Sequence, residues 1–173
     1  GAMTTHMAAD AADAFPAVGL FSGREEFRQR VRDALACAAR EGWPQIILSD
    51  ATFEDWPLGE SAVAQSLQAW AKSGRQMTLL AFRYDEVTRY HARFVNWRIQ
   101  WSHIIECRRF TAVDAAGFPS AIWSPTWVMR RLDPEHSTGG SGTEPDRRVL
   151  LREELDACLR QSSSGFPATT LGL

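Results

Sequence analysis

At 173 residues, 45% of them hydrophobic, the chain has the size of a single domain with a real core, and two domains are not expected. A formal net charge of -2 and a pI near 6.1 exclude a global electrostatic pull toward nucleic acid or membrane, so any such binding must come from a local patch. No apolar run approaches the roughly 20 residues that span a bilayer, and no charged segment followed by a hydrophobic one stands at the N-terminus, so a cytoplasmic protein without membrane attachment is expected.

Gly1, Ala2 and Met3 read as a cleavage scar, and residues 1–16 as a tag remnant with a disordered, Ala-rich tail, which leaves 17–173 as one domain. Ser22 and Glu25 have the spacing of a capping box. Phe27, Val31, Ala34, Leu35 and Ala38 then recur on one helical face as far as Gly42. Gln45 to Ser49 is a short apolar run bounded by Pro44 and Asp50, which predicts a buried strand. A loop with Trp56, Pro57 and Gly59 leads to a second helix on Val63, Leu67, Trp70 and Ala71, ending before Gly74.

Met77 to Phe82 is a second buried strand, and Asp85 to about Gln100 a third helix with Val87, Phe94 and Trp97 or Trp101 inward. Strands are predicted at His103 to Phe110, Ser120 to Trp123 and Trp127 to Arg131. His136 to Asp146, with three glycines, reads as a mobile loop. A fourth helix follows over Asp146 to Gln161 on Val149, Leu150, Leu155 and Leu159, and the tail Phe166 to Leu171 could return as a strand. The fold class is therefore α/β: a central mixed sheet, parallel in its first half and antiparallel in its second, flanked by about four helices.

Ligands of open parallel sheets sit beyond the C-terminal ends of the strands. That rule selects Asp50, Asp55, Arg83 and Tyr84 as the candidate ligand-binding residues, with Arg83 able to grip a phosphate or carboxylate. The alternative is a structural ion pair between Arg83 and Asp50 or Asp55. A second candidate is a phosphate or nucleic-acid surface of Arg89, Arg93, Arg98 and Arg108, where cations interleave with aromatics. Against it, the arginine row and the aromatics fall on different sides of a helix, which suits a core stripe with a solvated basic face.

Cys37, Cys107 and Cys158 are odd in number and far apart, which suits reduced thiols better than bridges or zinc. His103 shares a strand face with Cys107 but not with Glu106, so it reads as a packed histidine. Lys72 is the only lysine, and it lies in no glycine-rich phosphate loop. No catalytic residue, no metal and no cofactor is assigned.

The order helix, strand, helix, strand, helix, three strands, helix over about Ser22 to Leu171 resembles one half of the phospholipase D-like fold. Ile46, Ile47, Leu48, Ser49, Asp50 and Arg83, Tyr84, Asp85, Glu86, Val87 also resemble segments of bacterial proteins of unassigned function. Active members of that family use His-x-Lys followed four residues later by Asp. No histidine precedes Lys72 by two residues, and the corresponding strand reads Phe118, Pro119, Ser120, Ala121, Ile122, Trp123. The resemblance thus implies the scaffold without its phosphodiesterase chemistry. Three readings follow. The favoured one is a non-catalytic binding or protein-interaction domain with an unknown protein partner or self-association, which the resemblance implies would run through the sheets; the seven tryptophans, Trp123 and Trp127 near a turn among them, suggest an exposed aromatic patch. The others are a phosphate or nucleic-acid binding module on the arginines, and an enzyme using Asp50, Asp55 and Arg83.

Overall fold

The computed structural model describes residues 15–111, 114 and 117–167. Residues 1–14 of the expected tail and 168–171 of the expected last strand lie outside them, and the described Phe166 and Pro167 are not in a strand. Pro16 is already buried, and the Ala17 carbonyl accepts hydrogen bonds from Ser141 Oγ at 2.7 Å and Trp127 Nε1 at 3.1 Å.

In chain order the elements are β1 (Gly19–Ser22), α1 (Arg24–Glu41), β2 (Gln45–Asp50), α2 (Ser61–Ala71), β3 (Gln76–Ala81), α3 (Asp85–Tyr90), α4 (Ala92–Gln100), β4 (Ile105–Arg109), β5 (Ala121–Trp123), β6 (Val128–Asp133), β7 (Thr138–Gly142), α5 (Pro145–Arg160) and β8 (Ser163–Ser164). They build one sheet in the order β1-β7-β6-β5-β2-β3-β4-β8. β2, β3 and β4 are parallel, with Leu48, Leu79 and Cys107 in register, and every other neighbouring pair is antiparallel. The mixed sheet is the one expected, flanked by five helices.

Strand alternation decides which side chains meet which helices. Ile46, Leu48, Met77, Leu79, Ile105 and Met129 face α1 to α4, where Phe27, Leu35, Leu67, Trp70, Phe94 and Trp97 close the larger core. Ile47, Leu80, Ala121 and Val128 face the other way, onto Leu151 and Leu155 of α5. α1 ends where the sequence indicates: Gly42 takes a left-handed φ of 67° and its N–H returns to the Ala38 carbonyl.

Five expectations are corrected. Ser22 belongs to β1 and is no capping box; Gly23 is the N-cap, and the Ser22 N–H instead donates to Glu26 Oε2 at 2.7 Å. The single third helix is two, because His91 leaves helical geometry (φ -126°, ψ 55°) and turns its ring inward. β4 begins only at Ile105, which leaves His103 exposed in the preceding turn. On α5, Leu151 and Leu155 are buried, while Val149 and Leu150 face solvent. The stretch expected as a mobile loop contains β7, held between β1 and β6.

β7 explains its own composition. A Cβ on Gly139 would lie against the Arg130 carbonyl and within 2.9 Å of the Phe21 ring, so only glycine lets the three strands approach. Gly139→Ala is expected to cost about 1–3 kcal/mol in urea unfolding. Gly140→Ala meets the far end of Arg147 at 3.2 Å, the Leu20 side chain at 3.5 Å and the Gly19 carbonyl at an ordinary 3.6 Å, and should stay within about 1 kcal/mol.

Candidate functional site

The C-terminal ends of the parallel strands are organised by one residue that the sequence did not single out. Arg131 lies on the same face of β6 as Met129, directed at the core, and its side chain is 3% exposed. A guanidinium there must have partners. Nη2 donates to Asp50 Oδ1 at 2.9 Å, Nη1 to Asp55 Oδ2 at 3.2 Å and Ser137 Oγ at 3.3 Å, and Nε to Ser120 Oγ at 3.1 Å. Its carbon lies 4.3 Å from the centre of the Phe27 ring, so the cation also stacks on α1.

Asp50 passes the constraint to the loop after β2. Its Oδ2 accepts the N–H groups of Phe53 at 2.8 Å and Thr52 at 3.2 Å. Phe53 is held at a left-handed φ of 60°, a cost a non-glycine residue bears only when its surroundings impose it. Here the surroundings are the Asp50 carboxylate, the Trp56 ring in edge contact at 4.9 Å, and His91, whose Nε2 lies 2.7 Å from the Phe53 carbonyl. One polar chain thus runs from β6 through the loop to the α3–α4 junction.

The four strand-end candidates separate. Asp50 and Asp55 come together, but on Arg131 and not on Arg83. Arg83 is half exposed and its Nε reaches both oxygens of Glu86 at 3.0 Å. Tyr84 is buried flat against Phe166, its hydroxyl 2.7 Å from the Arg108 carbonyl, and burial pushes its pKa up. The arginine surface divides as well. Arg89 is exposed beside the Tyr90 ring, and Arg93 donates to the Gly59 carbonyl at 2.7 Å. Arg98 is buried, bonded to the carbonyls of Ile105 and Phe166, and Arg108 is held by Ser162.

The expected aromatic patch does not form: Trp127 is buried, and Trp123 is half-buried beneath Arg152. His103 leans on Trp101, and burial pushes the Cys107 thiol up to about 12. Asp133, Glu135 and His136 gather at the β6–β7 turn, where half-buried Asp133 accepts from the Glu135 N–H and faces His136 Nδ1 at 2.7 Å, and the other two are exposed.

Outside Asp55 the strand ends open into a cleft of about 480 Å³ between the loop, the start of α1 and the α3–α4 junction, lined by Arg24, Arg28, Asp55, Trp56, Gly59 and His91 among others. Burial, more than the opposing bond to the Phe53 carbonyl, holds the His91 pKa below its ordinary 6.5. Glu60, at the rim, is held below the usual carboxylate range by its bidentate bond to Arg32.

No family model and no curated protein sequence matches the chain. Solved structures do. TrmBL2, an archaeal chromatin protein whose structure shows a novel mode of DNA binding, superposes with a TM-score of 0.64 at 12% identity over 94% of this chain and 60% of its own length. Nuc, a phospholipase D family member from Salmonella typhimurium, gives 0.52 at 12% identity over 83% of this chain and 95% of its own. Phosphatidylserine synthase from Haemophilus influenzae Rd KW20 gives 0.52 at 11% identity over 83% and 38%. The fold is phospholipase D-like, as the element order implies, and this chain spans 60% of the TrmBL2 length.

Two outcomes follow. Asp50→Ala leaves the Arg131 cation buried with half its charge partners and should cost about 3–5 kcal/mol in urea unfolding, whereas Arg83→Ala should change stability by less than about 0.5 kcal/mol. For His91, the folded pKa lies below the unfolded one, so its contribution is complete above pH 6.5 and is lost as pH falls below it. The exposed His136, raised by Asp133, titrates in the opposite sense. Lowering pH from about 7.5 to about 5 should therefore reduce Tm less in His91→Gln than in the wild-type chain.

Proposed function

We propose that the chain is a non-catalytic binding domain on a degenerate phospholipase D-like scaffold. The observation that carries this reading is the buried Arg131, which engages both acidic candidates, Asp50 and Asp55. A carboxylate that acts as base, nucleophile or metal ligand needs an unengaged oxygen facing substrate. Asp50 has both oxygens committed, one to Arg131 and one to the loop N–H groups, and is 4% exposed.

The sequence supports the same reading, because the His-x-Lys pattern of the active family members is missing around the lone Lys72, which is exposed just after α2. Of the strand-end candidates, Asp55 lines the open cleft and so belongs to the proposed binding surface, while Arg83 and Tyr84 serve local structure. Nucleic acid is the less favoured partner: TrmBL2 lends only its fold, and Arg98 and Arg108 are engaged inside the domain.

The purified chain should hydrolyse bis(p-nitrophenyl) phosphate no faster than buffer does, with or without added divalent metal. Turnover that disappears in Asp50→Asn, with the circular dichroism spectrum retained, would overturn the reading. In about 0.15 M salt, a labelled single-stranded oligonucleotide should show no saturable anisotropy change; saturable binding with a steep salt dependence would favour the arginine surface instead.

A further inference from the structure

Among the described residues, four buried side-chain nitrogens lack a hydrogen-bond partner: those of Trp56 (Nε1), His91 (Nδ1), Trp97 (Nε1) and Arg98 (Nε). Two of the four belong to residues that line the strand-end cleft, Trp56 and His91, which are 1% and 4% exposed. Buried polar groups are satisfied as a rule, so two orphans on one cleft mark a place where something else supplies the partners.

Their chemistry is complementary. His91 Nε2 faces the Phe53 carbonyl, which can only accept, so in the neutral ring Nε2 carries the proton and Nδ1, with the Tyr90 carbonyl near it, is left as an acceptor without a donor. The Trp56 indole can only donate. Gly59, itself part of the cleft lining, is the thin cover over the buried Nδ1: a Cβ there would stand 3.3 Å from Nδ1 and 2.7 Å from the Tyr90 carbonyl. One acceptor and one donor together suit a hydroxyl group, which can serve both.

The charges of the cleft are equally uneven. Asp55 is committed to Arg131 and Glu60 to Arg32, which leaves Glu54 as the exposed acid of the lining. Arg28 is fixed through Nε on the Asp55 carbonyl at 2.8 Å, and its terminal nitrogens make no ion pair among the described residues. Arg24 approaches Asp55 only at 4.0 Å and its side chain is 65% exposed. Two guanidinium groups are thus available to an anion.

We propose that this cleft binds a small hydroxylated anion, a hydroxy acid or a sugar phosphate, with a hydroxyl against Trp56 Nε1 and His91 Nδ1 and the anionic group on Arg24 and Arg28. The proposal rests on the reading of the chain as a binding domain. Glycerol 3-phosphate and D-gluconate serve as probes and separate phosphate from carboxylate, while glycerol and inorganic phosphate supply each half alone.

Calorimetry should give binding of at least one hydroxylated anion about tenfold or more tighter than either half. Arg28→Ala should weaken it about tenfold or more with the circular dichroism spectrum retained, and exposed Arg24→Ala should do the same in part. The ¹⁵N signal of His91 Nδ1 should shift on addition of that anion, as the acceptor gains a donor. The proposal is overturned if neither hydroxylated anion binds, or if binding survives both arginine variants and leaves the His91 signal unmoved. Turnover of a bound probe would remove the non-catalytic reading and keep the cleft; absent binding together with absent turnover would remove the cleft alone.

Discussion

A guanidinium buried in the core of a sheet has to be answered by charge and hydrogen bonds, and Arg131 is where this domain meets that demand. Its partners come from β2, the loop after it, the residue before β5, the β6–β7 turn and α1. A buried ion pair adds little net stability over a well-packed apolar substitute, yet removing one partner is expensive. The network therefore acts chiefly to fix position. It holds Asp50, Asp50 holds Phe53 in left-handed geometry, and the Phe53 carbonyl holds the His91 ring that separates α3 from α4.

This arrangement determines where the strand ends leave open volume. In a phospholipase D-like scaffold the ends of the parallel strands are the natural place for a ligand, but here that centre is filled by the Arg131 cluster. The open volume is displaced outward, past Asp55, to the cleft bounded by Arg24, Arg28 and the loop. The same network that closes the strand ends shapes the inner wall of that cleft, because Trp56 packs on Phe53 and Phe27, and His91 is anchored to the Phe53 carbonyl.

The parallel half of the fold was legible because its signals are local: short apolar runs for β2 and β3, a 3.6-residue stripe and a terminal glycine for α1. The antiparallel edge was not. Thr138, Gly139, Gly140, Ser141 and Gly142 have the composition of a loop, and only the close approach of β1 and β6 makes a strand of them. Nor does any proline or glycine announce the break at His91, which depends on a contact with Phe53, distant in sequence. Asp50 and Asp55 were found by their place at a strand end, and Arg83 and Tyr84 by the same rule, which cannot tell a side chain facing the cleft from one turned to Glu86 or Phe166. Arg131 did carry a signal. It shares strand parity with the apolar Met129, and a charge at an inward position calls for a buried counter-charge.

The most direct test of this account is a double-mutant cycle on Asp50→Asn and Arg131→Met, followed by urea unfolding with circular dichroism. If the pair is the constraint on which the strand ends depend, each single change is strongly destabilising and the double variant loses at least about 2 kcal/mol less than the sum. Additive losses, with no coupling between the two positions, would contradict it.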